Sequence, residues 1–110
     1  MGAAAVQAIH AQIKPPVYFI FENELMNREG YIKEYVPEAV ATIKAHCGRL
    51  LAIGKTTTFS GDPKDSTGIL VWDNMEQLEA WFNSPEYKKI RAVGEKYAKY
   101  RNFAVPGVAQ

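Results

Sequence analysis

His46 and Arg49, on either side of Cys47-Gly48, are the residues in this chain whose types and spacing best suit proton-transfer chemistry. An imidazole changes charge near neutral pH, so it can take up or release a proton as general base or acid. A guanidinium is permanently charged and can grip a carboxylate or oxyanion through two parallel hydrogen bonds. Asp73, just after the apolar run Gly68-Ile69-Leu70-Val71-Trp72, is a third candidate for handling protons. Tyr18, Trp72, Trp81 and Tyr87 are candidate substrate-binding residues, because a pocket between sheet and helices would be lined mostly by aromatic and apolar side chains. Each residue also has a purely structural reading. His46 would then meet free carbonyls at a helix end, Arg49 would join an interface ion pair, Asp73 would be solvated, and the aromatics would be core. Cys47 reads as a small hydrophobe rather than a nucleophile.

Other chemistries find no support. Gly54, Gly61 and Gly68 are too scattered for either phosphate-binding fingerprint, and no serine elbow is present. The two histidines, His10 and His46, cannot by themselves build a metal cage, and one histidine is thin ground for an axial haem ligand. No metal and no cofactor is therefore expected. A net charge of +1 without a basic run gives no footprint for nucleic acid. A single cysteine excludes an internal disulfide framework, which makes the cytoplasm the default compartment. The alanine-rich residues 1–14 have no basic start and no long apolar run, so neither a signal peptide nor a membrane span is expected there.

The elements that must position these residues follow from periodicity and punctuation. Pro15-Pro16 divides an N-terminal arm, residues 1–16, from a single domain over 17–110. Val17-Tyr18-Phe19-Ile20-Phe21 is a strand apolar at both parities. Asn27 caps a helix over 28–46, which Pro37 should kink or restart, and Gly48 stands where a left-handed helix cap belongs. Arg49-Leu50-Leu51-Ala52-Ile53 is a second strand, with Lys55 to Phe59 as a candidate extension across a bend. Residues 61–66 form a turn-rich loop, and residues 68–72 form the third strand. Asn74 and Gln77 cap a short helix to Phe82. Ser84 caps another, over 85–100, with Pro85 at its first position. Asn102-Phe103-Ala104-Val105 closes the chain as a fourth strand.

Strand–helix–strand–strand–helix–strand, with the second helix broken, is the order of a ferredoxin-like α+β sandwich. Its helices cover one sheet face. The other face is apolar as well, and a chain of 110 residues has nothing left to cover it. A homodimer is the simplest cover.

Tyr31 and Tyr35, the run Ala45-His46-Cys47-Gly48-Arg49 and the string Trp81-Phe82-Asn83-Ser84-Pro85-Glu86-Tyr87 together resemble the domain of unknown function 1330 family, over residues 17–108. The resemblance implies a dimeric α+β barrel, in which two sheets close face to face. Relatives often carry two glycines where Cys47-Gly48 stands, and a glutamate after the third strand where Trp72-Asp73 stands, so it carries the fold and not a site. Two functions are expected from such a protein. One is a cofactor-independent enzyme (isomerase, cyclase or monooxygenase-like) acting on a small aromatic or acidic molecule. The other is a non-catalytic ligand-binding or stress-related dimer. The fold-level link to enzymes is analogy.

Overall fold

β1 (Val17–Leu25) runs through the middle of the molecule and alternates its side chains between two apolar surfaces. The computed structural model describes residues 15–108, so residues 1–14 of the expected N-terminal arm lie outside it. β1 is followed by a single turn of helix, α1 (Arg28–Gly30), a π-helical segment (Tyr31–Tyr35) and α2 (Val36–Ala45). Then come β2 (Arg49–Lys55), β3 (Ser66–Trp72), α3 (Met75–Phe82), α4 (Pro85–Gly94) and β4 (Ala98–Pro106). The four strands form one antiparallel sheet in the order β2-β3-β1-β4, the ferredoxin-like arrangement expected from the element order.

Strand register decides which residues share a face. Phe19 pairs with Leu70 and Phe21 with Gly68, on the face that the helices cover. On the other face, Val105, Tyr18, Val71 and Arg49 form one row across the sheet, and Phe103, Ile20, Ile69 and Ala52 form the next. Phe103 is 44% exposed and Val105 49%. Farther along, Glu22 is buried on this second face. It accepts hydrogen bonds from Arg101 Nη2 (3.1 Å) and from the Lys64 backbone N–H (3.1 Å), which ties the β2–β3 loop to the central strand. Among the described residues, no helix is long and apolar enough to cross a membrane.

The caps read from sequence are in place. Asn27 accepts from Gly30 N–H, Asn74 from Gln77 N–H and Ser84 from Tyr87 N–H. The interruption expected at Pro37 is present in a particular form, and three further features differ from expectation, each for a physical reason. The long helix over 28–46 is interrupted by the π-helical segment before Pro37. Proline has no N–H to give to the carbonyl four residues back, and its ring clashes with that carbonyl. The widened turn, in which Val36 N–H reaches Tyr31 O, carries the chain past this obstacle.

The left-handed residue at the end of α2 is Cys47 (φ 67°), not Gly48. Gly48 N–H bonds Ile43 O (2.9 Å) and Cys47 N–H bonds Lys44 O (3.1 Å), the paired bonds of a Schellman cap. Gly48 is needed instead for close approach. A Cβ there would overlap the Trp72 indole and lie 2.9 Å from Ile43 Cγ2.

The helix expected to reach residue 100 stops at Gly94, and β4 begins at Ala98. Gly94 packs directly on the Tyr35 ring and the Tyr100 hydroxyl, so the chain turns away at its closest contact with the neighbouring elements. Finally, β2 ends at Lys55. Thr56 N–H bonds Asp65 O (2.8 Å), closing the connection to β3 before the threonines can extend the strand.

Candidate functional site

The corner between α3 and α4 sets the geometry of the interior. Ser84 Oγ donates to Trp81 O (2.8 Å) and accepts from Tyr87 N–H (3.1 Å), so one side chain closes the first helix and opens the second. This brings the Trp81 and Tyr87 rings to a centroid separation of 4.1 Å. The Tyr87 hydroxyl shares a hydrogen bond of 2.8 Å with that of Tyr35. Tyr35 stacks on Tyr31 (4.9 Å), and the Tyr31 hydroxyl accepts from Asn23 Nδ2 (3.0 Å). Tyr100 reaches the same cluster from β4, its ring centroid 6.0 Å from that of Tyr35.

Between the sheet and the helices, beside these four tyrosines, lies a cavity of about 450 Å³. Its floor is Phe19, Phe21, Leu50, Ile53 and Leu70 from the sheet, and its roof is Val36, Ala39, Val40 and Ile43 from the π-helical segment's continuation into α2. Gly68 helps to make the space. The Phe21 ring lies over it where a Cβ would stand, which keeps the ring down on the sheet. Asn102 adds an amide to the tyrosine end of the wall, and Lys44 and Arg49, both exposed, contribute at the rim.

Burial is the dominant influence on the phenols. It raises the pKa of Tyr31, Tyr35, Tyr87 and Tyr100 above the ordinary tyrosine value. The neighbouring Tyr87 hydroxyl pushes Tyr35 further in the same direction. All four are therefore neutral at physiological pH, able to donate a hydrogen bond and unable to act as anionic bases. The Tyr100 hydroxyl meets the hydroxyls of Tyr31 and Tyr35, while Asn102 Oδ1 is buried without a hydrogen-bond partner. Leaving such a group unsatisfied costs about 1–3 kcal/mol.

The residues singled out from sequence fall in different places. Trp81 and Tyr87 line the cavity. Trp72 is buried behind them, its ring centroid 4.8 Å from that of Trp81 and its Nε1 donating to His46 O (2.8 Å). The structure thus joins His46 to the aromatic cluster through its backbone. Its ring turns elsewhere, with Nε2 3.3 Å from Glu86 Oε2 near the surface. Arg49 sits at the rim, yet pairs with Val71 in the outer row of the sheet. Tyr18 belongs to that outer face too, and exposed Asp73, one residue past β3, is outside the cavity wall. Among the described residues, no group of three or more His, Cys, Asp or Glu side chains is placed to hold a metal ion.

Sequence reasoning placed Tyr31 and Tyr35 on an apolar stripe without seeing them as a site. The available signal was two hydroxyls at i and i+4 on an inward face, where each would need a polar partner. Tyr100 and Asn102 were hidden by the overlong helix, which concealed that both project from one strand face toward the helices.

Among curated proteins, no sequence match to this chain is found. Solved structures do resemble it. A protein of unknown function from Rhodopseudomonas palustris superposes with a TM-score of 0.72 at 10% identity, over 100% of this chain and 95% of that one. SnoaB, a cofactor-independent oxygenase from Streptomyces nogalater, gives 0.66 at 9% identity, over 87% and 96%. HapK from Hahella chejuensis gives 0.63 at 10%, over 86% and 94%. At these identities the likeness establishes the fold alone. The residues carry the kinship more directly: the domain of unknown function DUF1330 matches residues 16–108, and the chain belongs to that family.

Proposed function

We propose that this chain is a small-molecule-binding protein that works as a homodimer, its ligand held in the cavity between sheet and helices. The observation that carries the reading is the cavity itself: about 450 Å³, walled by aliphatic and aromatic side chains, with a few hydroxyl and amide groups gathered at one end. That volume and that lining suit a ligand of one or two fused rings. The homodimer is supported by the outer face of the sheet, where Tyr18, Ile20, Ile69 and Val71 continue into exposed Phe103 and Val105. Sedimentation at micromolar concentration is expected to give a dimer, and a stable monomer would remove this part of the proposal.

Catalysis without a cofactor is the second reading. Neutral tyrosines can stabilise an oxyanion, and SnoaB shares the fold. Among the described residues, the cavity wall contains no carboxylate or imidazole to accept a proton, however, so the geometry favours binding. Titration with 2-methoxynaphthalene, followed by tryptophan fluorescence, is expected to saturate because Trp81 lines the cavity. Gly68→Ala should weaken that binding about tenfold or more, since the added methyl drives the Phe21 ring up into the cavity. Val40→Trp at the partly exposed roof provides the same test should Gly68→Ala fold poorly. His46→Ala should bind as the parent does. Unchanged affinity in both cavity-filling variants would remove the site, whereas loss of a turnover in His46→Ala with binding intact would transfer the role to catalysis.

A further inference from the structure

Lys44 breaks a pattern in the cavity roof. On α2 the lining residues Val36, Ala39, Val40 and Ile43 recur every three or four positions, and Lys44 takes the next place on the row begun by Val36 and Val40. An inward stripe calls for an apolar residue there. A cation in the last turn of a helix does suit its dipole, but it would do so from any face, and this face borders the cavity. The Cα–Cβ bonds of a helix tilt toward its N-terminus, so the Lys44 stem leans toward Val40 and the cavity mouth. Arg49, across the Cys47-Gly48 turn, brings a second cation to the same rim. Among the described residues, neither cation is in an ion pair and no carboxylate lines the wall.

The two ends of the cavity therefore differ. Arg49 pairs with Val71 near the end of β3, whereas Tyr100 pairs with Asn23, which in turn pairs with Ser66 at the start of β3. Cations and tyrosines thus lie at opposite ends of the strands. The α2 roof spans the same interval, rising about 12 Å from Val36 to Lys44 at about 1.5 Å per residue. Between the ends the lining is aliphatic and aromatic. A charged group must keep its water or find an opposite charge, and the exposed rim offers both. We infer that the cavity selects amphiphilic monoanions, a body of one or two rings carrying a carboxylate on a short side chain, with the rings inside and the carboxylate at Lys44 and Arg49. This rests on the reading of the cavity as a ligand site, and it names the ligand's charge and the end at which that charge sits.

The test compares 2-naphthylacetate, its methyl ester and 2-(2-naphthyl)ethylamine at neutral pH by titration calorimetry on the full chain. The three share a ring system and differ in charge. The acid is expected to bind about tenfold tighter than the ester, the increment of two solvent-exposed charge pairs, and the amine weakest. High salt should shrink that preference without weakening the ester, because exposed charges are screened and ring burial is not. In Lys44→Gln the preference should fall, and with Arg49→Gln added it should vanish while the ester still binds. Both side chains are exposed, so both variants should melt close to the parent. Equal binding of acid and ester to the parent overturns the inference and leaves the cavity reading standing. A preference that survives in the double variant, or that salt leaves untouched, also overturns it, by placing the carboxylate away from the rim. Failure of all three compounds to bind removes the cavity reading and the inference together.

Discussion

Trp81→Ala is expected to destabilise the fold by roughly 3–5 kcal/mol, the range for emptying a large aromatic site in a core. Trp81 is 1% exposed and lies at the centre of the aromatic cluster. Its ring meets Phe19 edge-on at 5.4 Å, Trp72 at 4.8 Å and Tyr87 at 4.1 Å. Its Nε1 donates to Thr42 Oγ1 (3.1 Å), joining the helix corner to α2. The substitution therefore removes packing against the sheet, α2 and α4 in a single step. Neighbours cannot easily collapse into the gap, because the Trp72 indole is itself held by its bond to the His46 carbonyl. Trp81→Phe should fall between parent and alanine variant, keeping an aromatic ring while losing the bond to Thr42. Urea denaturation monitored by far-UV circular dichroism measures both. A change below about 1 kcal/mol for the alanine variant would show that the ring is not core, since that is the size of an ordinary surface effect.

Stability is expected to fall steeply above pH 10. Tyrosines of the unfolded chain ionise near pH 10, whereas burial holds Tyr35 and Tyr87 protonated well above that in the folded state. The sign follows from proton counting. Below pH 10 both states keep these protons, and the full stability is present. As pH rises past 10, the unfolded state releases protons that the folded state retains, so unfolding gains ground. Each of the two phenols then contributes a loss of about 1.4 kcal/mol per pH unit. Tyr31 and Tyr100 are shifted in the same direction and add to the trend. Denaturant titrations between pH 8 and 11.5 test this. Tyr35→Phe with Tyr87→Phe removes the pair together, and the slope above pH 10 should flatten accordingly. An identical slope in parent and double variant would assign the effect to other groups and refute the prediction.

The contrast between Tyr87 and Tyr100 shows where sequence reasoning reached its limit. Tyr87 follows Ser84-Pro85-Glu86, a local cap that is bonded within three residues, and so its place at a helix start was legible from the string alone. Tyr100 has no such punctuation. The periodic residues Ile90, Val93 and Tyr97 continue a helical pattern past Gly94, and nothing in the local sequence says that Gly94 must stop where Tyr35 packs on it from another element. His46 makes the same point for chemistry. Its place at the end of α2 was local and legible, but the direction of its ring, toward Glu86 forty residues away, was set by the docking of α4.

The sequence by itself determined the element order, the caps at Asn27, Asn74 and Ser84, the α+β class and the apolar character of both sheet faces. These are properties of short-range periodicity and hydrogen bonding, which neighbouring residues fix among themselves. Tertiary structure alone decided the register that puts Arg49 in the outer row, the π-helical widening before Pro37, and the meeting of Tyr31, Tyr35, Tyr87 and Tyr100 at one end of the cavity. The physical reason is that an enclosed space belongs to no element. It forms only where the α2 roof is held above a floor kept low by Gly68, and those residues come into contact only when distant parts of the chain have packed.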